Sequence, residues 1–347
     1  MSRPSYQLFD RETTALIYGV QANAIQRMLD FDFACKREVP SVSAVINPGR
    51  DGMHKVFWGT KEILIPIFPD IAKAAKAFPK ADVMINFASY RSAYPTTLEA
   101  MEIPQLRTIV IIAEGVPERR ARYLRNLARE KEINIIGPAT VGGIKAGEFR
   151  IANTGGSMEN IINSKLHRAG SVGFVSKSGG MSNESYNTIA QFTDGINEGI
   201  AIGGDAFPCS TLLDHLLRFE ANPAIKMMVA LGEVGGEEEY RIAEAIESGK
   251  IKKPVVCWVT GTSLEHLPQG VQFGHAGAKA DVKRETAPAK NEALRKAGAI
   301  VPDSYNDFGK VIKETYEKLV ADGKHKSVED TPAQTVPVDF KSAVAMN

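Results

Sequence analysis

Residues 171–184 read SVGFVSKSGGMSNE, and their reading decides the fold. Val172, Phe174 and Val175 form a short apolar run without the polar alternation of a half-exposed strand. Such a run suits a strand buried on both faces, as in a parallel sheet. Ser176, Lys177 and Ser178 lead into Gly179-Gly180, and an amphipathic stretch from Met181 to Phe192 follows. Strand, small-residue turn and helix together make the repeating unit of a doubly wound α/β fold.

The same rhythm extends in both directions. Upstream, strands are expected at TALIYGV, SVSAVIN, ADVMINF, RTIVIIA and INIIG, with helices near Ile71 to Phe78 and Glu118 to Glu132. Downstream, strands are expected at GINEGIAIGG, KMMVALGE, PVVCWVTG and AIVPD. Helices near Ser210 to Phe219, Glu237 to Ser248, Thr286 to Ala297 and Asp307 to Ala321 lie between or after them. The expected architecture is therefore two doubly wound parallel-sheet domains, roughly 1–145 and 146–325. Their seam should fall within 145–170, where glycines and polar residues lack clear periodicity, and 326–347 read as a tail or linker.

Composition narrows the function. At 347 residues the chain is long enough for two ordinary domains. Forty-two basic against forty-one acidic residues give a formal net charge of +1, which points away from nucleic acid and from an anionic membrane surface as partners. No apolar run approaches the ~20 residues of a membrane-spanning helix, and the polar N-terminus lacks a signal-peptide run. Cys35, Cys209 and Cys257 are far apart and form no CxxC pair, so buried thiols in a reducing cytoplasm are expected rather than disulfides or a metal site.

Nearly every expected strand ends in a small residue: Gly19, Ser89, Gly115, Gly137, Gly179, Gly204, Gly232 and Gly261 are examples. In open parallel sheets ligands bind beyond these carboxyl ends, where the next helix offers free N–H groups. Turn chemistry alone accounts for many of these residues. The IYGVQAN turn, with Gly19, falls short of the full GxGxxG pattern and is a poor nicotinamide site. In VSKSGGMSNE, Ser176 and Ser178 offer hydroxyls and Gly179-Gly180 open a helix whose dipole favours an anion; a plain serine N-cap is the alternative. In LGEVGG, Glu233 ends a very apolar strand as either a helix cap or an orienting partner for another group.

That partner would be His275, in VQFGHAGAKA. His54, His167, His266 and His325 stand in charged or loop contexts and should be solvated, while His215 in LLDHLLRF should lie on a helix face. Only His275 is flanked by glycine and alanine alone, a setting for an imidazole that carries something bulky and charged. A neutral imidazole that presents one nitrogen to an electrophile needs its other N–H held by an acceptor.

With these residues assembled, the chain resembles the α-subunits of succinyl-CoA synthetases and the related NDP-forming acyl-CoA synthetases. GHAGA, GEVGG, VSKSGG and GIAIGGD carry that likeness. MLDFDF, WGTKEILIPIF, INFASYRSAYPTTLEAM, IIAEGVPE, IIGPATVGGIKAG, NTGGSMENI and SKSGGMSNE resemble more closely the CoA-binding portion of ATP-citrate lyases or the small subunit of citryl-CoA synthetases. The likeness runs over about residues 12–325.

The resemblance implies a Rossmann-like CoA-binding domain followed by a flavodoxin-like ligase domain. It implies an ATP-grasp β-type partner chain that binds Mg-ATP. It further implies that His275 is phosphorylated with Glu233 on its ring, and that Ser176, Ser178, Gly179 and Gly180 cradle the phosphoryl group and citrate. CoA would lie at Gly19 and Gln21, at Ser89, Arg91 and Ser92, and along Ala113, Glu114 and Gly115, with Arg91 on a CoA phosphate. The activity implied is formation of citryl-CoA from citrate, CoA and ATP in a cytoplasmic hetero-oligomer. A succinate–CoA ligase α-subunit and a non-catalytic CoA-binding module are the alternatives. Lyase chains of this family continue into a citrate-synthase-like module, so this chain alone should not release acetyl-CoA and oxaloacetate.

Overall fold

The structure is a computed structural model that describes residues 3–263, 271–272 and 274–337. His266 and residues 338–347 of the expected tail lie outside the described residues.

The first domain is built on β1 (Ala15–Tyr18), β2 (Val42–Ile46), β5 (Val83–Asn86), β6 (Thr108–Ile111) and β7 (Asn134–Ile136), all parallel and nearly all buried. An antiparallel hairpin of β3 (Gly52–Trp58) and β4 (Lys61–Phe68) extends it beside β2. The strand order is β3-β4-β2-β1-β5-β6-β7. Tyr18, at the end of β1, pairs with Ile46 on one side and Asn86 on the other. The chain winds outward in one direction from β1 and returns to continue in the other from β5, so the β1/β5 junction is the topological switch point, where such sheets leave a crevice.

The second sheet has the order β13-β12-β10-β11-β8-β9. Strands β10 (Val172–Ser176), β11 (Ile196–Ala201), β12 (Met227–Glu233) and β13 (Val255–Thr260) are parallel. Their order places the second switch point between β10 and β12. The first strand quoted above is thus one wall of that crevice. Helices α6 (Gly179–Phe192), α7 (Leu212–Ala221), α8 (Glu238–Glu247) and α9 (Ala287–Lys296) follow the strands in turn. The fold class is the one expected, with three local differences.

Residues 52–68 form the β3–β4 hairpin, although no strand is expected there. Residues 142–150 form β8 (Gly142–Lys145) and β9 (Phe149–Arg150), which pair antiparallel at the edge of the second sheet. They carry no alternation because all six residues are buried, β8 being closed over by Ile151 and Ile200. The chain crosses between the sheets just before them, over Gly137 to Val141. Finally, AIVPD contributes only one bridge, Ile300 to Val256, rather than a strand.

Two histidines expected to be solvated are instead engaged. His325 Nε2 lies 2.9 Å from the Asp194 carboxylate, and its side chain is 6% exposed. His167 Nε2 lies 2.8 Å from the Thr331 carbonyl. His325 belongs to, and His167 is met by, a strap in which residues 325–334 run back over the molecule. Arg168 pairs with Asp330 at 2.7 Å, and the Gln334 N–H reaches the Ala34 carbonyl in the first domain at 3.0 Å. A buried aspartate offers a tail more than water can, and that explains why this polar segment is tied down.

Candidate active site

Apolar β12 delivers Glu233 to its carboxyl end, with six buried residues before it. Glu233 Oε1 lies 2.7 Å from His275 Nδ1. Glu233 does not cap the following helix. The backbone N–H of Glu233 is taken by the Glu239 carboxylate at 3.1 Å, and Lys290 Nζ donates to the carbonyl of Glu233 at 2.8 Å and to Glu239 Oε2 at 2.6 Å. Lys290 and Glu239 are fully buried. Their pairing fixes the end of β12, and so fixes the carboxylate that holds the imidazole.

The loop carrying His275 is seated by close backbone contact. A Cβ on Gly204 would lie 2.4 Å from the His275 Cγ, so the ring packs directly against that glycine. Gly235, at φ +94°, has the Gly277 carbonyl where a Cβ would be, 2.1 Å away. The Gly277 N–H donates to the Gly204 carbonyl at 3.2 Å. Three chain segments meet at glycines, which lets the backbones approach closely around the ring.

His275 is half-buried, with its side chain 34% exposed. Its pKa is raised above the ordinary value, chiefly by the hydrogen bond to Glu233 and against the opposing effect of burial. With Nδ1 held, Nε2 is the nitrogen left for chemistry. A cavity of about 230 Å³ adjoins it, lined by Ser176, Lys177, Ser178, Met181, Glu233 and Thr260 among others. Ser176, Ser178, Glu233 and His275 therefore converge, although they come from β10, the start of α6, β12 and a separate loop.

At the helix start the two glycines differ. Ser178 is the N-cap of α6, its hydroxyl accepting the Met181 N–H at 3.3 Å. The serine cap is thus present, at the helix start where an anion was expected. Gly179 has Val141 where its Cβ would go, 2.6 Å away, whereas nothing lies within 4 Å of a Cβ on Gly180. Packing requires the first glycine; the second leaves open space. Both are first-turn residues, whose N–H groups have no intrahelical acceptor.

Lys177 is the cation that motif reading passed over. It lies in the cavity wall, 3.5 Å from Glu238. Burial disfavours its charge, but Glu239, Glu238 and Glu233 outweigh burial and raise its pKa. The ammonium thus stays protonated beside an anion-sized space. Its position between two serines could have singled it out, since those serines had already been picked.

The eight first-domain residues expected at CoA lie together along the carboxyl edge of the first sheet. Gly19, at φ +97°, follows β1, and a Cβ on it would be 3.5 Å from Phe87, after β5. Gln21 precedes α1 (Ala22–Ala34), and Ser92 precedes α3 (Ala93–Ala100); neither side chain caps its helix. The Ser89 carbonyl accepts the N–H groups of Ser92 and Ala93. Arg91 is exposed, with its guanidinium 5.4 Å over the Tyr90 ring. Ala113, Glu114 and Gly115 follow β6, and a Cβ on Gly115 would approach Tyr90 to 4.0 Å. The three loops are neighbours at the β1/β5 switch point, beside the exposed start of a helix.

The two edges also meet. The Ala139 N–H donates to the Ala113 carbonyl at 2.8 Å, the Cys209 N–H to the Gly137 carbonyl at 2.8 Å, and Gly203 packs on the Pro138 carbonyl. The crossing segment thereby ties the loop after β6 to the loop after β11, on which His275 rests. Glu114 is near enough to help raise the His275 pKa. The three cysteines are all buried, and burial pushes the Cys209 and Cys257 thiols up to about 12, so neither is a nucleophile.

Comparison with known proteins follows this division. Residues 10–115 match the family described as a CoA binding domain, and residues 175–300 the family described as CoA-ligase. The ATP-citrate synthase beta chain protein 1 of Oryza sativa subsp. japonica is 56% identical over 338 residues, covering 97% of this chain and 56% of that protein. The ATP-citrate synthase of Mus musculus is 53% identical over 340 residues, covering 98% of this chain and 31% of that protein. The ATP citrate lyase of Methanothrix soehngenii, solved in complex with citrate and coenzyme A, superposes with a TM-score of 0.97 at 56% identity, over 99% of this chain and 56% of that one. A dinucleotide-forming acetyl-coenzyme A synthetase of Ca. Korarchaeum cryptofilum, at 15% identity and a TM-score of 0.63, shares the fold alone. The chain spans about half the length of the first curated relatives it matches.

Proposed function

The chain belongs to the ATP-citrate synthase family as its CoA-binding and CoA-ligase portion, and from that premise we propose that it is the α-type half of an ATP-dependent citrate–CoA ligase. The observation that carries this reading is the 2.7 Å contact between Glu233 Oε1 and His275 Nδ1 beside a small cavity. A carboxylate there fixes the tautomer in which Nε2 has the free lone pair.

Each step has its groups at hand. His275 Nε2 attacks the γ-phosphorus of Mg-ATP presented by an ATP-grasp partner chain; the N–P bond forms and ADP leaves. A citrate carboxylate oxygen then attacks the same phosphorus, breaking the N–P bond and returning His275. The CoA thiol attacks the acyl carbon of the resulting citryl-phosphate, a C–S bond replaces the C–O bond, and phosphate departs. Positioning and charge neutralisation do most of the work in phosphoryl transfer. Ser176, Ser178, the Gly179 and Gly180 N–H groups and the nearby Lys177 ammonium supply both. CoA itself lies on the loops of Gly19, Gln21, Ser89, Arg91, Ser92 and Ala113 to Gly115. The complexes of the related lyases with citrate and coenzyme A and with (3S)-citryl-CoA support this choice of substrates.

The same reading assigns 1–145 to CoA binding, 146–325 to the ligase step and 326–347 to a strap and linker. It places the assembly in the cytoplasm, in keeping with three buried free thiols. The test uses γ-labelled ATP, Mg and the cognate ATP-grasp chain. Acid-labile, base-stable label should appear on this polypeptide and be absent from His275→Ala; equal label on both would overturn the assignment.

A further inference from the structure

One charged group at the junction of the two domains has no role in the account so far. Asp205 follows β11 in the loop whose Gly204 supports the His275 ring. Its side chain belongs to a residue only 8% exposed, yet Oδ2 has no hydrogen-bond partner, and among the described residues no lysine or arginine pairs with it. A buried carboxylate oxygen left without a donor is costly. Native structures keep such a group where something else completes it.

Its surroundings locate the missing donor. Burial together with Glu114 and Glu118 pushes the Asp205 carboxyl up to about 6, and His275 pulls it the other way. Asp205 therefore lies between the loop after β6, on the first domain, and the phosphohistidine loop of the second. A phosphoryl oxygen would be repelled here by three carboxylates. A metal ion would need further ligands, and no cluster of metal-binding side chains occurs among the described residues. What fits is a neutral ligand segment that carries hydrogen-bond donors and crosses from one loop to the other.

We propose that Asp205 accepts a hydrogen bond from the thiol end of CoA, whose amide N–H and S–H are such donors, and so aims that end at the acyl group beside His275. This rests on the function proposed above, since it requires CoA on the first-domain loops. Asp205 is a binding and positioning residue for the CoA step and takes no part in phosphorylation of His275.

Isothermal titration on the whole chain separates these ideas. Wild type, Asp205→Ala and Asp205→Asn are each titrated with CoA and with adenosine 3′,5′-bisphosphate, which lacks the pantetheine arm. Asp205→Ala should weaken CoA about tenfold, on the order of one lost hydrogen bond to a charged group, and leave the bisphosphate unchanged. Asp205→Asn, which keeps an acceptor oxygen and the side-chain shape, should recover most of the loss. Equal affinity of Asp205→Ala and wild type for CoA would overturn the proposal. Equal weakening of both ligands would also overturn it, by showing that the carboxylate only supports the loop. Failure of the wild type to bind either ligand would instead contradict the CoA-site assignment.

Discussion

His275 is held from one side and open on the other, and its behaviour with pH follows. Its pKa is raised by the hydrogen bond to Glu233, so the imidazole keeps its second proton to a higher pH than an ordinary histidine does. Nε2 is nucleophilic only when the ring is neutral. Phosphorylation should therefore decline as pH falls through that raised pKa. Glu233→Gln removes the charge that holds the proton, so the acid limb should move to lower pH. The maximal rate should drop on the order of 10²- to 10⁴-fold, because the tautomer is no longer fixed. Single-turnover labelling across pH measures both. An unchanged acid limb in Glu233→Gln would mean that another group sets the titration. At this scale the sequence was readable where chemistry restricts the residue type: an imidazole among glycines and a carboxylate at a strand end. Lys177 was readable only through its place between two serines, and Asp205 was not readable. The meaning of Asp205 lies in burial and in partners distant along the chain, which no local pattern records.

At the scale of elements, the strands announced themselves because those buried on both faces are apolar throughout. Hairpin β3–β4 did not, since it mixes exposed Met53 and Leu64 with buried Val56 and Ile65. Strands β8 and β9 did not because they are short, and β8 starts from two closely packed glycines. The same distinction among glycines gives a test at the head of α6. Gly179→Ala would set a Cβ 2.6 Å from Val141 and should cost about 1–3 kcal/mol of stability. Gly180→Ala meets nothing, so it should be neutral or stabilising by up to ~1 kcal/mol. If the phosphoryl group packs on this helix start, Gly180→Ala should still slow labelling of His275 at least tenfold while folding normally. Denaturant unfolding and labelling on the same preparations check both. Full labelling by a stable Gly180→Ala protein would place the phosphoryl group elsewhere.

Across the whole molecule, the two domains are not independent beads. One apolar cluster runs from Ile17 and Val83 of the first sheet through Phe149 to Val175 and Val259 of the second. Arg150, fully buried, donates to the Arg27 carbonyl of the first domain at 3.1 Å. This continuity holds the three loops at the β1/β5 switch point and the His275 loop at one junction, so under the proposed function an acyl group made at one would be captured from the other. The two-domain plan was legible because each half repeats the strand–turn–helix rhythm. The junction was not, because it is made by backbone contacts of Gly137 to Ala139 and Gly203 to Cys209. The account as a whole stands on what discharges the histidine. The most direct measurement isolates the labelled chain and adds citrate, succinate or neither, each with CoA, following label release and thioester mass. Citrate with CoA should remove the label and yield citryl-CoA, with succinate no better than buffer. Discharge by succinate alone, or retention of label with citrate and CoA both present, would contradict it.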